Sequence, residues 1–317
     1  MKAGVLAINL GIKCNAACPF CISRMTYKTT NNNQLIMDNL GKAVRYSLFH
    51  GVDTAMITGI GEPMLFPELP QLIGELKSLG MPVVELQTNG TLLTNEICEE
   101  LKGYGLDVIS VSFSSLDNLR NAWIMKYPLY NISQLMRGIK QSGLLSRLSL
   151  NVNPYVLALP DDDIEKLISS PYTELVSSPY TGIREAIKDF IDNSLVPFLN
   201  SGVIHQLTLR KLGIPSTGAV SNEYNSDSQS ACQWALRHEK ASEIIMEELK
   251  NNIICGMHGN LLRTLPYGAQ VYDYNGIGVC FTTCITNTPD PELIRNFILQ
   301  PDGHIYHSWD MQGSILV

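Results

Sequence analysis

Residues 4–21 read GVLAINLGIKCNAACPFC. The first seven are an apolar run of strand length, and the last eight carry cysteines at positions 14, 18 and 21. A strand that stops at a glycine and hands over to a tight loop of thiols sets three soft ligands at one strand end. Such a loop can hold three irons of a cubane and leave the fourth open to a ligand. A zinc loop is the weaker alternative, because a structural zinc takes four protein ligands and no fourth Cys or His lies close by in sequence.

Working outward, further β-rich runs follow at Thr54–Thr58, Val83–Thr88, Val108–Ser112, Leu148–Val152 and Gln206–Leu209, after Gly4–Leu10 as the first strand. Helical patterns lie between them at about Asp38–His50, Glu68–Leu79, Thr94–Tyr104 and Ile132–Ser142. Thr94 is a candidate N-cap, and Gly80, Gly105 and Gly143 are candidate C-caps. Repeated strand–helix alternation with short connections predicts a parallel sheet covered by helices. Six such strands predict an α/β fold, a partial (β/α)6 barrel with functional residues at the C-terminal strand ends.

The polar stretch Ser216–Ser230 is read as a separator, so residues 1–215 are expected to form the barrel. Residues 216–317 are expected to form a small α+β C-terminal cap, built on a helix at Glu239–Lys250 and several short strands. The polar segment Thr26–Gln34 is a candidate lid over the cysteines, and the SSPYT strings at Ser169 and Ser177 are read as turns. Ile294–Trp309 reads as a hairpin around Pro301-Asp302-Gly303.

The 317-residue chain carries a formal charge of −7 and so has no global basic field for holding long nucleic acid. Its N-terminal apolar stretch is too short for a membrane span, and a cytoplasmic protein is expected. Eight cysteines in a chain of this length, three of them crowded together, suit metal ligation in a reducing compartment better than a disulfide framework.

Each strand end carries polar residues fit for a ligand. The second runs into Thr58-Gly59-Ile60-Gly61-Glu62-Pro63, where glycines admit close backbone approach and Glu62 can accept from an ammonium. The third ends in Gln87-Thr88-Asn89-Gly90, and the fourth in Ser112-Phe113-Ser114-Ser115. The fifth brings Asn151 and Asn153 to one face by period two. The sixth sets Arg210 at a barrel rim, where it could grip a carboxylate or phosphate of cofactor or substrate.

The C-x3-C-x2-C spacing, with Phe20 before the third cysteine and a strand before the first, closely resembles the radical SAM superfamily. The resemblance implies a 4Fe-4S cluster on Cys14, Cys18 and Cys21 whose open iron is chelated by S-adenosylmethionine. Reductive cleavage of that cofactor then yields a 5′-deoxyadenosyl radical, and an external electron donor such as flavodoxin or ferredoxin is implied. Gly59, Gly61, Glu62 and Pro63 resemble the family's GGEP element, which binds the methionine amino group. Thr88 and Asn89 resemble its TNG element. Phe20, Ser112, Ser114, Asn151, Asn153 and Arg210 are further candidate cofactor contacts.

The C-terminal hairpin resembles the auxiliary-cluster (twitch or SPASM-like) extensions of the molybdopterin GTP cyclase and of peptide-modifying members. Here, however, Ser308 stands where those proteins place a ligand cysteine. Cys255, Cys280 and Cys284 are candidate ligands of a second iron-sulfur cluster, with Cys232 as a further thiol; a degenerate cap without metal is the alternative. His258, His304, His307, Tyr306 and Asp310 are candidate acids or bases. The functions weighed are a radical enzyme acting on a small metabolite or nucleotide, a peptide-modifying enzyme, a methyl or methylthio transferase using a C-terminal thiolate, and a redox sensor.

Overall fold

The computed structural model describes residues 2–26, 32–157, 159–169, 181–214, 226–256, 259–265, 268–283, 293–309 and 315–316. Most of the candidate lid, the SSPYT segment after Ser169 and most of Ser216–Ser230 lie outside the described residues. So do His258, Cys284, Asp310 and the side chain of Cys255.

Eight parallel strands form the centre of one open, eleven-stranded sheet. In chain order the strands are β1 (Lys2–Leu10), β2 (Thr54–Gly59), β3 (Val83–Thr88), β4 (Val108–Phe113), β5 (Leu145–Val152), β6 (Gln206–Lys211), β7 (Asn260–Thr264), β8 (Gln270–Tyr274), β9 (Ile277–Thr283), β10 (Leu293–Leu299) and β11 (Ile305–Tyr306). Their spatial order is β11-β10-β1-β2-β3-β4-β5-β6-β9-β8-β7. Thus β1–β6 follow the predicted partial-barrel order. The C-terminal strands extend the same sheet on both sides, β9 parallel to β6 and β10 parallel to β1. The hairpin is present, with β10 and β11 antiparallel about Gly303, whose φ is +81°.

The helices are α1 (Ile22–Thr26), α2 (Asn33–Phe49), α3 (Leu69–Ser78), α4 (Asn95–Gly103), α5 (Asn118–Met125), α6 (Ile132–Gln141), α7 (Asp161–Ser169), α8 (Thr181–Phe190, continuing through a widened turn to Asn200) and α9 (Ser226–Asn251). Thr94 caps α4 as expected, its hydroxyl accepting from Ile97 N. Several elements depart from the sequence reading. α2 starts at Asn33, α9 starts at Ser226 rather than near Glu239, and α1, α5, α7 and α8 were not anticipated.

Alternation along the strands gives the sheet two unlike faces. In β5, Leu148, Leu150 and Val152 are fully buried against the helices, together with Ile109, Val111 and Phe113 of β4 and Leu207 and Leu209 of β6. The intervening residues, Arg147, Ser149 and Asn151, share the other face with Ser110, Ser112, Thr208 and Arg210. That face is concave. Arg147 reaches across β4 to pair with Glu85 of β3 at 2.5 Å, and Arg295 of β10 donates to Thr282 Oγ1 and Thr283 O of β9 across the open seam. Replacing Phe113 by Ala should leave a cavity beneath the helices and lower stability by about 3–5 kcal/mol, read as a fall in urea midpoint at unchanged m.

Candidate active site

Because β1–β6 are parallel, the segments read as ligand-bearing all emerge at one end of the sheet. The cysteine loop leaves β1 and is tied down by backbone. Ile60 N donates to Leu10 O at 2.9 Å, and Glu62 N donates to Lys13 O at 3.1 Å. Gly61 passes so close to this loop that a Cβ would lie 2.3 Å from the carbonyl carbon and oxygen of Lys13. No side chain fits there, so Gly61 fixes the approach of the GIGEP turn to the residues just before Cys14. Gly59 carries a milder version of the constraint, its added Cβ falling 3.1 Å from Leu10 O.

Glu62 is buried, and its carboxylate is held from three sides. Oε1 accepts from the Thr88 hydroxyl at 2.5 Å and Met64 N at 3.1 Å, and Oε2 accepts from Asn89 N at 2.8 Å. Burial pushes its pKa up, and the three hydrogen bonds pull it back. A carboxylate offers about four acceptor sites, so this set leaves about one on Oε2. Pro63 opens the short 3-10 turn that Glu62 caps.

The TNG segment joins this group to the cysteines. Asn89 Nδ2 donates to Asn15 Oδ1 at 2.7 Å, and Asn15 Nδ2 donates to Thr91 Oγ1 at 2.7 Å. From Asn89 a buried network runs on. Tyr130 donates to Asn89 O at 2.7 Å and lies 3.1 Å from the Tyr127 hydroxyl. Asn121 Nδ2 donates to Tyr127, while its Oδ1 accepts from Ser114 N at 2.8 Å and Ser115 N at 3.3 Å. Burial raises the pKa of both tyrosines, so each remains a protonated phenol at neutral pH.

α5 carries Asn121 and also Met125, whose carbonyl accepts from Ala17 N at 3.2 Å and whose sulfur lies 3.6 Å from Cys18 Sγ. Neither residue was singled out in the sequence. The signal available was Asp117 as an N-cap, which the structure uses toward Arg120 N; the buried helix face contains Asn121, so no apolar stripe marks it. On its other side the loop packs Phe20 against Trp234 of α9, with ring centroids 5.6 Å apart. Trp234 in turn stacks on His238 at 3.8 Å.

Cys14 is exposed, and Cys18 and Cys21 are half-buried. Burial raises the pKa of Cys18, with further rises from Cys21 and Cys14, and burial also raises that of Cys14. Among the described residues no three His, Cys, Asp or Glu side chains converge on a single metal ion. A cubane does not require that, because each thiolate binds its own iron. Three thiols on one loop, with Cys14 accepting from Ala16 N and Cys18 lying against Met125, fit such a group.

The remaining candidates divide. Ser114 is fully buried, its hydroxyl 3.2 Å from Met125 Sδ. Asn151 donates to Phe113 O at 2.9 Å. Asn153 donates to Asn151 O and accepts from Tyr155 N, so its side chain caps the turn at Pro154–Val156. Ser112 and Arg210 face the concave side. Of the three cysteines read as second-cluster ligands, Cys280 has a described side chain, buried beside Thr208. Cys232 packs as a small apolar group against Met25 of α1. His304 and His307 are exposed, while buried Tyr306 donates to Asp302.

Gly61→Ala should displace the cysteine loop, and iron bound after anaerobic reconstitution should fall severalfold while the far-ultraviolet circular dichroism is kept. His238 generates a second expectation. Burial lowers its pKa below 6.5, so the unfolded chain binds more protons as pH drops, and stability is lost as pH falls through 6.5. His238→Phe should flatten the decline in urea midpoint between about pH 7 and about pH 5.

In comparisons with known proteins, a family model described as the Radical SAM superfamily matches residues 8–173, which is more than half of the chain. A probable GTP 3′,8-cyclase of Methanococcus aeolicus is 31% identical over 156 residues, covering 48% of this chain and 50% of that protein. One from Sulfolobus acidocaldarius is 36% identical over 148 residues, covering 47% and 45%. The chain thus aligns with about half the length of these curated relatives. Among solved structures, Streptococcus suis SuiB bound to S-adenosylmethionine matches with a TM-score of 0.57 at 14% identity, over 99% of this chain and 63% of that one. This likeness supports the partial-barrel fold. Among the described residues no helix is long and apolar enough to cross a membrane. The chain belongs to the radical SAM superfamily, enzymes that use a 4Fe-4S cluster and S-adenosylmethionine.

Proposed function

We propose that Cys14, Cys18 and Cys21 hold the 4Fe-4S cluster and that the enzyme acts on a small metabolite or nucleotide. The observation that carries this reading is the set of bonds joining three motifs into one unit: Lys13 to Gly61 and Glu62, Asn15 to Asn89 and Thr91, and Glu62 to Thr88 and Asn89. A redox sensor needs a cluster loop but no such cradle. When bound, the cluster and S-adenosylmethionine supply a 5′-deoxyadenosyl radical. Glu62 receives the cofactor's ammonium at its remaining acceptor site, and Thr88 and Asn89 keep the carboxylate aimed. The helices exclude water from the barrel wall, and the concave face receives the substrate. The required electron comes from an external donor such as flavodoxin or ferredoxin.

Two further readings of the substrate have specific support. The curated relatives are probable GTP 3′,8-cyclases, which makes GTP the first nucleotide to assay, although the similarity covers half of each chain. A peptide is the alternative, favoured by the β10–β11 hairpin and its resemblance to peptide-modifying members.

The protein, reconstituted anaerobically with iron and sulfide and reduced with dithionite, should convert S-adenosylmethionine to 5′-deoxyadenosine. A Cys14→Ala/Cys18→Ala/Cys21→Ala variant should not. Product at equal rates from both proteins would sink the assignment of the cluster to this loop, and a GTP-dependent rise in product would favour the nucleotide over a peptide.

A further inference from the structure

The concave face of the sheet has more polar groups than partners. Among the described residues, seven buried side-chain atoms lack a hydrogen-bond partner, and five of them lie on this one face: Glu85 Oε1, Ser110 Oγ, Arg147 Nε, Ser149 Oγ and Arg210 Nε. Ser110 and Ser149 are almost wholly buried. An unmet buried polar atom costs about 1–3 kcal/mol, so five together mark a surface that is completed by something else.

Register places these groups in adjoining rows. Ser149, Thr208 and Cys280 stand side by side on β5, β6 and β9, and Asn151, Arg210 and Thr282 form the next row. Ser110 adjoins Arg147 across β4 and β5. The charge is one-sided. Arg147 is paired with Glu85, but among the described residues no carboxylate lies within ion-pair distance of Arg210. Arg295 reaches the same row through Thr282. The buried Cys280 stands beside Thr208 in the adjoining row. In a chain with a net charge of −7 these arginines are a local reversal of sign. A half-buried guanidinium without a counter-charge, with the unmet Ser149 hydroxyl on the adjoining strand, is suited to an oxyanion, which can take two parallel N–H bonds from an arginine.

We infer that the rows on β5, β6 and β9 form an oxyanion-binding subsite for the substrate, with Arg210 as its fixed cation and Ser149, Thr208 and Thr282 as hydroxyl partners. The inference rests on the proposed reading of the concave face as the substrate side, and it narrows the substrate to one bearing a phosphate or carboxylate. It also assigns Arg210 to the substrate rather than to S-adenosylmethionine, a division that competition between the two ligands tests.

The test is calorimetric titration of the reconstituted holoenzyme with inorganic pyrophosphate and, separately, with malonate. Saturable binding of one probe is expected, and the probe that binds identifies phosphate or carboxylate as the recognised group. Arg210→Gln should weaken it about tenfold. Arg210→Lys, which keeps the charge and loses the fork, should fall between, and Ser149→Ala should give a smaller loss; iron content and circular dichroism confirm that each variant is folded. Saturating S-adenosylmethionine should leave the titration unchanged. Failure of both probes to bind would overturn the subsite, as would equal binding by Arg210→Gln or displacement of the probe by S-adenosylmethionine. Formation of 5′-deoxyadenosine by the unaltered protein is read separately, so loss of the radical reading and loss of the subsite are distinct results.

Discussion

Gly61 has no room for a side chain, and most of the site's geometry follows from that. With only hydrogen on its Cα, the turn after β2 lies directly on the carbonyl of Lys13, one residue before the first cysteine. That contact sets where the thiol loop stands relative to Glu62, and Glu62 in turn holds the end of β3 through Thr88 and Asn89. Three strand ends are thereby locked by backbone and short side chains, which lose little conformational entropy on ordering.

The second organising feature is the contrast between the sheet's two faces. A parallel sheet covered on both sides normally reads as continuous apolar strands, and a barrel interior is usually filled by branched aliphatics. Here β5 alternates Leu148, Leu150 and Val152 with Arg147, Ser149 and Asn151. The apolar set supplies the stability of the wall. The polar set is too costly to bury for stability alone, and its unmet atoms, Arg147 Nε and Ser149 Oγ, are left open to the proposed ligand. Stability and function thus occupy alternate residues of the same strand.

Much of this was legible in the sequence. Strands β1–β6 announce themselves by β-branched runs of the right length, and the cysteine spacing, GIGEP and TNG stand at the ends of the first three. α5 was not legible because its buried side chains include Asn121, which serves a hydrogen-bond network rather than a core. Nor could the sequence disclose that β9 lies beside β6 and β10 beside β1, since pairing between distant segments leaves no local periodicity. Asn153 shows the opposite case, a residue with ligand-binding chemistry whose polar atoms cap a turn.

The pairing of β10 with β1 has a consequence for how the protein comes to be made. β1 precedes the other described strands in the chain, yet its outer neighbour begins only at Leu293. Until β10 is made, one flank of β1 therefore presents unpaired amide and carbonyl groups, a template open to other chains. Closing that edge requires joining segments almost three hundred residues apart, the kind of non-local contact that slows folding. The hydrogen bond between Asn9 and Gln300 can form only once β10 has joined β1, so the strand that carries the cysteine loop waits on a distant segment for its second neighbour.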